Sequence, residues 1–306
     1  MGKSLHPIRN WSEYNRGLVE RGNLTVWLDA SAIANWHNVE HHGGRGRGCL
    51  YSDMAIEIML MLKAVFKLPL RATEGFVNSL FRLLKVDLVS PDYSSMSKRA
   101  KTVVVNYRPP SRGPVAHIVI DSTGLKVYGE GEWKVRKHGR SERRREWRKM
   151  HLAVDAATHD VVAAEVSLVS VGDNEVLPTL LNPLRRKVAQ MSGDGAYDTR
   201  ECHRVLLRKG SKATIPPREG AALWPGDHPR NEAVIALKAG ELKAWKKSSG
   251  YHRRSLAETA MYRYKQLIGP KLSLRHYNAQ VAEVLIGVKA INKMNRLGLP
   301  VRQPLV

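Results

Sequence analysis

Three carboxylates in the second part of the chain stand where acids could work on a phosphodiester. Asp121 follows the apolar run Val115 to Ile120, and Asp194 lies between Gly193 and Gly195. Glu258 falls in a helical stretch with Tyr251, Arg254, Tyr262 and Lys265, spaced three or four residues apart. That spacing places the five on one helical stripe. A carboxylate among an arginine, a lysine and two tyrosines suits phosphate chemistry, the acid holding a metal ion while the bases hold a DNA strand. Clustered acids repel one another, and divalent magnesium or manganese is the usual remedy. Two such ions about 4 Å apart can activate a water or a 3′-hydroxyl and stabilise the leaving oxygen of an in-line displacement. Singly, an Asp at a strand end is also a common turn residue, and a helical Glu between Arg and Lys a common surface pair. The order and setting of the three together favour the chemical reading.

The elements that must carry these acids follow from pattern. Val115 to Ile120 reads as a central, doubly buried strand ending at Asp121. Trp147 to Val154 and Val161 to Leu168 read as two strands joined by a tight turn that contains Asp155 and Asp160. Asp173 or Asn174 can cap a helix through Leu184, Val188 to Ser192 is a strand delivering Asp194, and Thr199 to Lys209 is helical. Lys212 to Ile215 is a short strand stopped by Pro216 and Pro217. Arg218 to Gly250 reads as a connection with one modest helix, and Ser255 to Leu267 as a long helix. Strands and helices in this order make an α/β fold on a mixed sheet. Asp198, close to Asp194, could support it, with a helix cap as the simpler role, and Cys202 is expected to be packed on a helix.

The first hundred residues read as mostly helical. Ser52 and Asp53 can cap a helix that Pro69 stops, Thr73 to Leu84 forms a second, and Tyr93 to Lys101 a third that carries Lys98 and Arg99. Two helices, a turn and a last helix with exposed bases outline a helix-turn-helix; an ordinary three-helix bundle fits the pattern equally. The Pro- and Gly-rich run Tyr107 to Pro114 divides the chain. The expected organisation is therefore a helical DNA-binding or dimerisation region over 1–110 and a catalytic domain over 111–306 with a short insertion near 216–250.

The 306 residues hold 50 Lys+Arg against 28 Asp+Glu, a net charge of +22. Such an excess points to a polyanionic partner, nucleic acid above all. Two cysteines leave no room for a disulfide framework or a four-thiolate zinc site. The first ten residues show no apolar signal core, and Met54 to Leu70 is interrupted by Glu57, Lys63 and Lys67. A cytoplasmic protein without a membrane span is expected. The block Trp133 to Lys149 has nine bases against two acids, among them Arg143, Arg144, Arg145, Arg148 and Lys149. Beside Asp121 it reads as a phosphate-backbone clamp without base specificity. His41 and His42, near Glu40 and Cys49, lack a second ligand pair at zinc-finger spacing and read as a basic loop.

Tyr251, Arg254, Glu258 and Lys265 match, with every spacing intact, the Y-(2)-R-(3)-E-(6)-K signature of bacterial insertion-sequence transposases of the DDE type. The chain resembles the group sometimes called the IS-five family. That family also shows an apolar strand before D-S/T-T-G-L/I-K, here Ile118-Val-Ile-Asp121-Ser-Thr-Gly-Leu-Lys126, and G-D-x-A/G-Y-D, here Gly193-Asp194-Gly-Ala-Tyr-Asp198. The likeness spans Val115 to about Ile291, and more loosely the helical region at Pro91-Asp92-Tyr-Ser-Ser-Met-Ser. It implies a ribonuclease-H-like core in which Asp121, Asp194 and Glu258 hold two Mg2+ ions, with Mn2+ as a substitute. Tyr251, Arg254, Lys265 and Lys126 would sit on the DNA. It further implies binding of terminal inverted repeats, cleavage at the 3′ ends, transfer of the freed 3′-hydroxyls to target DNA, and at least two protomers in the active complex. A ribonuclease-H-like nuclease that cuts without joining, or a DNA-binding protein without catalysis, are the rival readings.

Overall fold

The computed structural model describes residues 7–39, 48–110, 113–127 and 147–301. The chain divides into two compact units, one formed by Met1–Tyr107 with His276–Val306 and the other by Arg108–Arg275.

In the first unit, α1 (Trp11–Glu20), α2 (Leu24–Trp27) and α3 (Ala30–Ala34) precede α4 (Asp53–Val65), α5 (Leu70–Leu83) and α6 (Tyr93–Arg99). The Ser52 hydroxyl accepts the Ala55 N–H at 3.1 Å and starts α4. From Ala55 to Ala64 every residue of α4 is buried, Glu57 and Lys63 included. A buried charge needs a partner. Lys63 Nζ meets Glu283 Oε1 at 2.7 Å, and Glu57 pairs with Lys289. Both partners come from the last helix, Tyr277–Leu297, which therefore packs with the N-terminal helices. The expected boundaries differ here: the segment from His276, assigned from sequence to the second domain, groups with the first unit, and these two ion pairs join it to α4. At the other end of this helix, a Cβ on Gly17 would lie 2.5 Å from the Leu297 carbonyl oxygen, so only glycine lets α1 approach.

The second unit is a six-stranded mixed sheet with helices. Its strands are β1 (Val115–Val127), β2 (Trp147–Asp155), β3 (Val161–Leu168), β4 (Val188–Ser192), β5 (Lys212–Thr214) and β6 (Lys271–Leu272). Its helices are α7 (Asp173–Leu181), α8 (Arg200–Arg208), α9 (Arg230–Lys238), α10 (Leu242–Ser248) and α11 (Ser255–Leu267), and the last helix of the first unit is α12. The order is β3-β2-β1-β4-β5, with β6 beside β1. β1, β2 and β3 form an antiparallel meander, whereas β4 and β5 run parallel to β1. This is a ribonuclease-H-like arrangement.

Side chains alternate across β1. Ile118 and Ile120 join Leu177, Leu180, Val205 and Leu206 in a core beneath α7 and α8. Val119, Asp121 and Thr123 take the other face, against α11, which buries Ala257, Ala260, Met261 and Tyr264. β1 does not stop at Ile120 as its apolar run suggests; it continues to Val127. Pairs from Ser122↔His151 to Lys126↔Trp147 extend the ladder with β2, and Lys126↔Lys271 adds β6, so backbone pairing carries the strand past the end of its hydrophobic signal. The connection after β5 holds two helices, α9 and α10, rather than one. Among the described residues no helix is long and apolar enough to cross a membrane.

Candidate active site

The pairing of β1 with β4 explains how two of the acids meet. Val119 lies beside Ser192 in a parallel register. Two residues further along come Asp121, in the middle of β1, and Asp194, just past the carboxyl end of β4. Asp194 caps the single 3-10 turn Gly195–Tyr197, its Oδ1 accepting the Ala196 N–H at 2.9 Å. Of the two flanking glycines, Gly193 is required by packing within the protein. A Cβ on Gly193 would lie 2.8 Å from the Tyr197 ring, so the close approach is internal.

The third acid arrives through Arg254, at the end of a 3-10 turn (Tyr251–Arg254) that runs into α11. Its Nη1 donates to Asp121 Oδ2 at 2.8 Å, and its Nη2 donates to Glu258 Oε1, one helical turn away. Lys265 Nζ, two turns further, donates to Thr123 Oγ1 at 2.6 Å. The side chains of Asp121 and Arg254 are 16% and 22% exposed and that of Glu258 54%, so the cluster is a half-open surface site.

Electrostatics single out Asp121. Burial pushes its carboxyl above the usual range, and the charges of Asp194 and Glu258 push the same way against the Ser122 N–H and Arg254. Burial also raises the Tyr251 hydroxyl, where Arg254 opposes and Asp194 and Asp121 reinforce the shift. The Arg254 guanidinium is desolvated, yet Tyr251, Asp121 and Glu258 together hold its proton more firmly than usual. The Tyr197 hydroxyl is buried without a hydrogen-bond partner among the described residues; burial raises it strongly, with Asp173, Asp194 and Asp121 adding to the rise. Three acids thus act on common neighbours with one arginine shared between two of them.

The donor set is carboxylate oxygen throughout, the preference of magnesium and manganese. Asp121 is raised first by burial, and a bound cation would favour its ionised form. As the side chains stand, Arg254 supplies that charge to Asp121 and Glu258, and among the described residues no three acidic, histidine or cysteine side chains are grouped to hold one ion. The chemistry of the donors fits a divalent ion, which would compete with Arg254 for those two carboxylates.

The remaining residues singled out from sequence fall in several places. Arg143, Arg144 and Arg145 lie outside the described residues, as do Glu40, His41 and His42. Lys149 Nζ donates to the Val171 carbonyl at 2.8 Å and pairs with Asp173 at 2.7 Å, bracing the loop before α7. Arg148 Nη1 donates to the Trp147 carbonyl at 3.0 Å, and Lys126 is half-buried in β1. Tyr262 is exposed. On α6, Lys98 is exposed, whereas Arg99 donates to the Tyr51 carbonyl at 2.8 Å and pairs with Asp53, tying α6 to the start of α4. Asp155 makes the expected turn, accepting the Ala157 N–H at 2.9 Å, and Cys202 is buried in the core. Asp198 does not cap α8. Thr199 does, at 3.3 Å from the Cys202 N–H, and Asp198 is buried against Arg230 and His203. Arg218, Arg230 and His203 carry no motif spacing that sequence reasoning could have used, whereas Thr123 lies within the motif around Asp121 and was not singled out.

A ribonuclease-H-like sheet that places one acid within β1 and another just past the end of the neighbouring β4 is a phosphoryl-transfer scaffold in outline. Residues 113–293, more than half of the chain, match the model of the transposase DDE domain, and residues 19–130 match a second model of the same description. The chain belongs to the DDE transposase domain family. A solved structure of the piggyBac transposase, a synaptic complex with hairpin DNA, is similar over 95% of this chain and 76% of that one, at 11% identity and a TM-score of 0.37.

Proposed function

We propose that this protein is the transposase of a bacterial insertion sequence of the IS-five type. It binds the terminal inverted repeats of its element, hydrolyses the phosphodiester at each 3′ end, and directs the freed 3′-hydroxyl at target DNA. The observation that carries the reading is the meeting of Asp121, Arg254 and Glu258, with Asp194 beside them in register, in a chain of the DDE transposase family. Asp121, Asp194 and Glu258 would hold two magnesium ions, with manganese as a substitute, and the bound ions would supply Lewis-acid activation of the attacking oxygen and charge relief for the leaving one.

The residues of the chain do the rest. Glu258, the most exposed of the three acids, would close on the substrate side, and Arg254, released from it, would turn its fork toward a phosphate. Lys265 and Tyr251 would hold the strand beside the cut, while Lys126, Arg148 and the arginines at 143–145 would follow the backbone. The net charge of +22 favours this partner. Lys98 and Arg99 would contribute to reading the element ends. An element has two ends, so a dimer or larger assembly on DNA is proposed, acting in the bacterial cytoplasm on the nucleoid. Incubating the protein with end-bearing DNA and Mg2+ tests the reading. Joined products are expected; cut but unjoined DNA would mean a nuclease, and bound but intact DNA a binding protein.

A further inference from the structure

Asp194 stands on a short turn that is held both from within and from a remote segment. β4 ends at Ser192, and the next three residues are Gly193, Asp194 and Gly195. Glycines on both sides leave this backbone freer before folding than any other pair would. Besides the backbone bonds of the 3-10 turn, Tyr197 N–H to the Asp194 carbonyl at 3.1 Å and Asp198 N–H to the Gly195 carbonyl at 3.2 Å, the Asp194 carboxylate accepts the Ala196 N–H, so the same carboxylate that belongs to the site also shapes the turn.

The other supports come from the connection between β5 and α11. Just after Pro216 and Pro217, Arg218 turns back over the turn. Its Nε donates to the Gly195 carbonyl at 2.8 Å and its Nη2 to the Ala196 carbonyl at 2.9 Å. At the end of the turn, Arg230 grips Asp198 with two prongs, Nε to Oδ1 at 2.6 Å and Nη2 to Oδ2 at 2.7 Å, while His203 Nε2 lies 3.1 Å from Oδ1. The Asp198 and Arg230 side chains are 1% and 5% exposed. Arg230 is itself fixed: Nη1 donates to the Ala222 carbonyl at 2.9 Å, and the guanidinium lies 4.3 Å from the Trp224 ring centre. Asn231 holds Trp224 by both its N–H and its carbonyl at 2.9 Å. Near the far end of the connection, Gln190 of β4 donates to the Ser249 carbonyl at 2.8 Å and to Thr214 Oγ1 at 2.7 Å. The connection is therefore pinned to β4 and to the turn that follows it, and it leads directly into the Tyr251–Arg254 turn that carries Arg254.

We propose that Arg218 and Arg230 are positioning residues for Asp194, and that the 216–250 connection is a clamp that fixes the second acid relative to the third. The proposal rests on the reading of Asp194 as a metal ligand. Groups that orient a ligating side chain typically change metal affinity by about 10–100-fold when lost, whereas an ion pair that only holds the fold together leaves the affinity of the folded protein unchanged.

The test is a calorimetric titration of Mn2+ into the full-length chain, paired with cleavage of end-bearing DNA at a series of Mn2+ concentrations. Arg218→Ala removes two hydrogen bonds from an exposed side chain, and Arg230→Lys keeps the charge beside Asp198 while losing the two-pronged fit. Both are expected to bind Mn2+ about 10–100-fold more weakly, with a matching shift in the Mn2+ needed for half-maximal cleavage and unchanged affinity for DNA. Parental Mn2+ affinity in both variants overturns the clamp. If Arg230→Lys does not fold, Arg218→Ala decides alone. Asp194→Asn separates the two readings. Should it bind Mn2+ and cleave like the parent, the role of Asp194 and the clamp fall together; should it lose both while the arginine variants behave like the parent, only the clamp falls.

Discussion

Asp121 and Asp198 belong to the same unit and each faces an arginine, yet their carboxyls move in opposite directions. Asp198 has Arg230 to itself, both oxygens gripped and His203 alongside. Burial by itself would raise Asp198, but the hydrogen bonds of His203 and Arg230, with the positive charge of Arg230, bring it from its ordinary 3.8 down to about 2. Asp121 shares Arg254 with Glu258, receives one prong, and has Asp194 as a further negative neighbour. Burial and those like charges outweigh the arginine, and its carboxyl rises. Charge that is matched one to one holds a fold together. Charge left in excess on a half-open surface is a place for another cation.

The sharpest way to break that comparison is to remove the excess charge. Asp121→Asn, Asp194→Asn and Glu258→Gln keep size and hydrogen bonding while each deletes a metal-binding charge. Strand cleavage should fall by several kcal/mol of transition-state stabilisation, on the order of a thousandfold or more, with DNA binding retained. Asp155→Asn, a change in a turn acid, should cleave like the parent. Cleavage that survives Glu258→Gln would take Glu258 out of the site.

Next in size is stability. Arg230→Gln leaves Asp198 buried without its cation and should cost about 3–5 kcal/mol in denaturant unfolding. Arg254→Gln, in a half-exposed pair, should cost about 1 kcal/mol or less while abolishing cleavage. Equal losses in the two variants would erase the distinction between them. The pH dependence sharpens the same point. The folded Asp198 carboxyl lies below its unfolded value, so its contribution, about 2 kcal/mol, is fully present above pH 4 and fades as pH falls toward 2. Asp198→Asn should remove that part of the acid-unfolding curve. Asp121 has the opposite sign: its ionisation is disfavoured on folding, so Asp121→Asn should make the protein no less stable at neutral pH.

The smallest expected effect concerns the arginines at 143–145 of the basic block. If they contact phosphates, changing all three to Ala should flatten the slope of log K against log salt by up to about 3, equally on every DNA sequence. An unchanged slope would mean that they stay in solvent.

Local periodicity accounts for what sequence reading could see. Arg254, Glu258 and Lys265 share a stripe because helical spacing is a property of neighbours, and Ser52 starts α4 because a cap acts over three residues. Apolar runs marked β1 to β4 for the same reason. The same logic failed where a residue's partner is remote. The run Val115 to Ile120 could not show that β1 continues through Asp121, since the extension depends on pairing with β2 and β6. Asp198 looked like a helix cap because Arg230 lies 32 residues further on.

By itself, then, the sequence determined the identity and order of the acids, the stripe on α11, the excess of positive charge and the mixed α/β pattern, all of them consequences of composition and short-range spacing. Tertiary structure alone decided which acid is matched and which is left in excess. Asp121 and Asp194 come together through a parallel strand register, and the guanidinium that also holds Glu258 reaches Asp121 from Arg254, 133 positions away. It also placed α12 with the N-terminal helices, because Lys63 and Glu57 find their counter-charges 220 and 232 residues away. Hydrogen bonds and charge pairs act over a few ångströms in space, and separation along the chain says nothing about which side chains will stand that close.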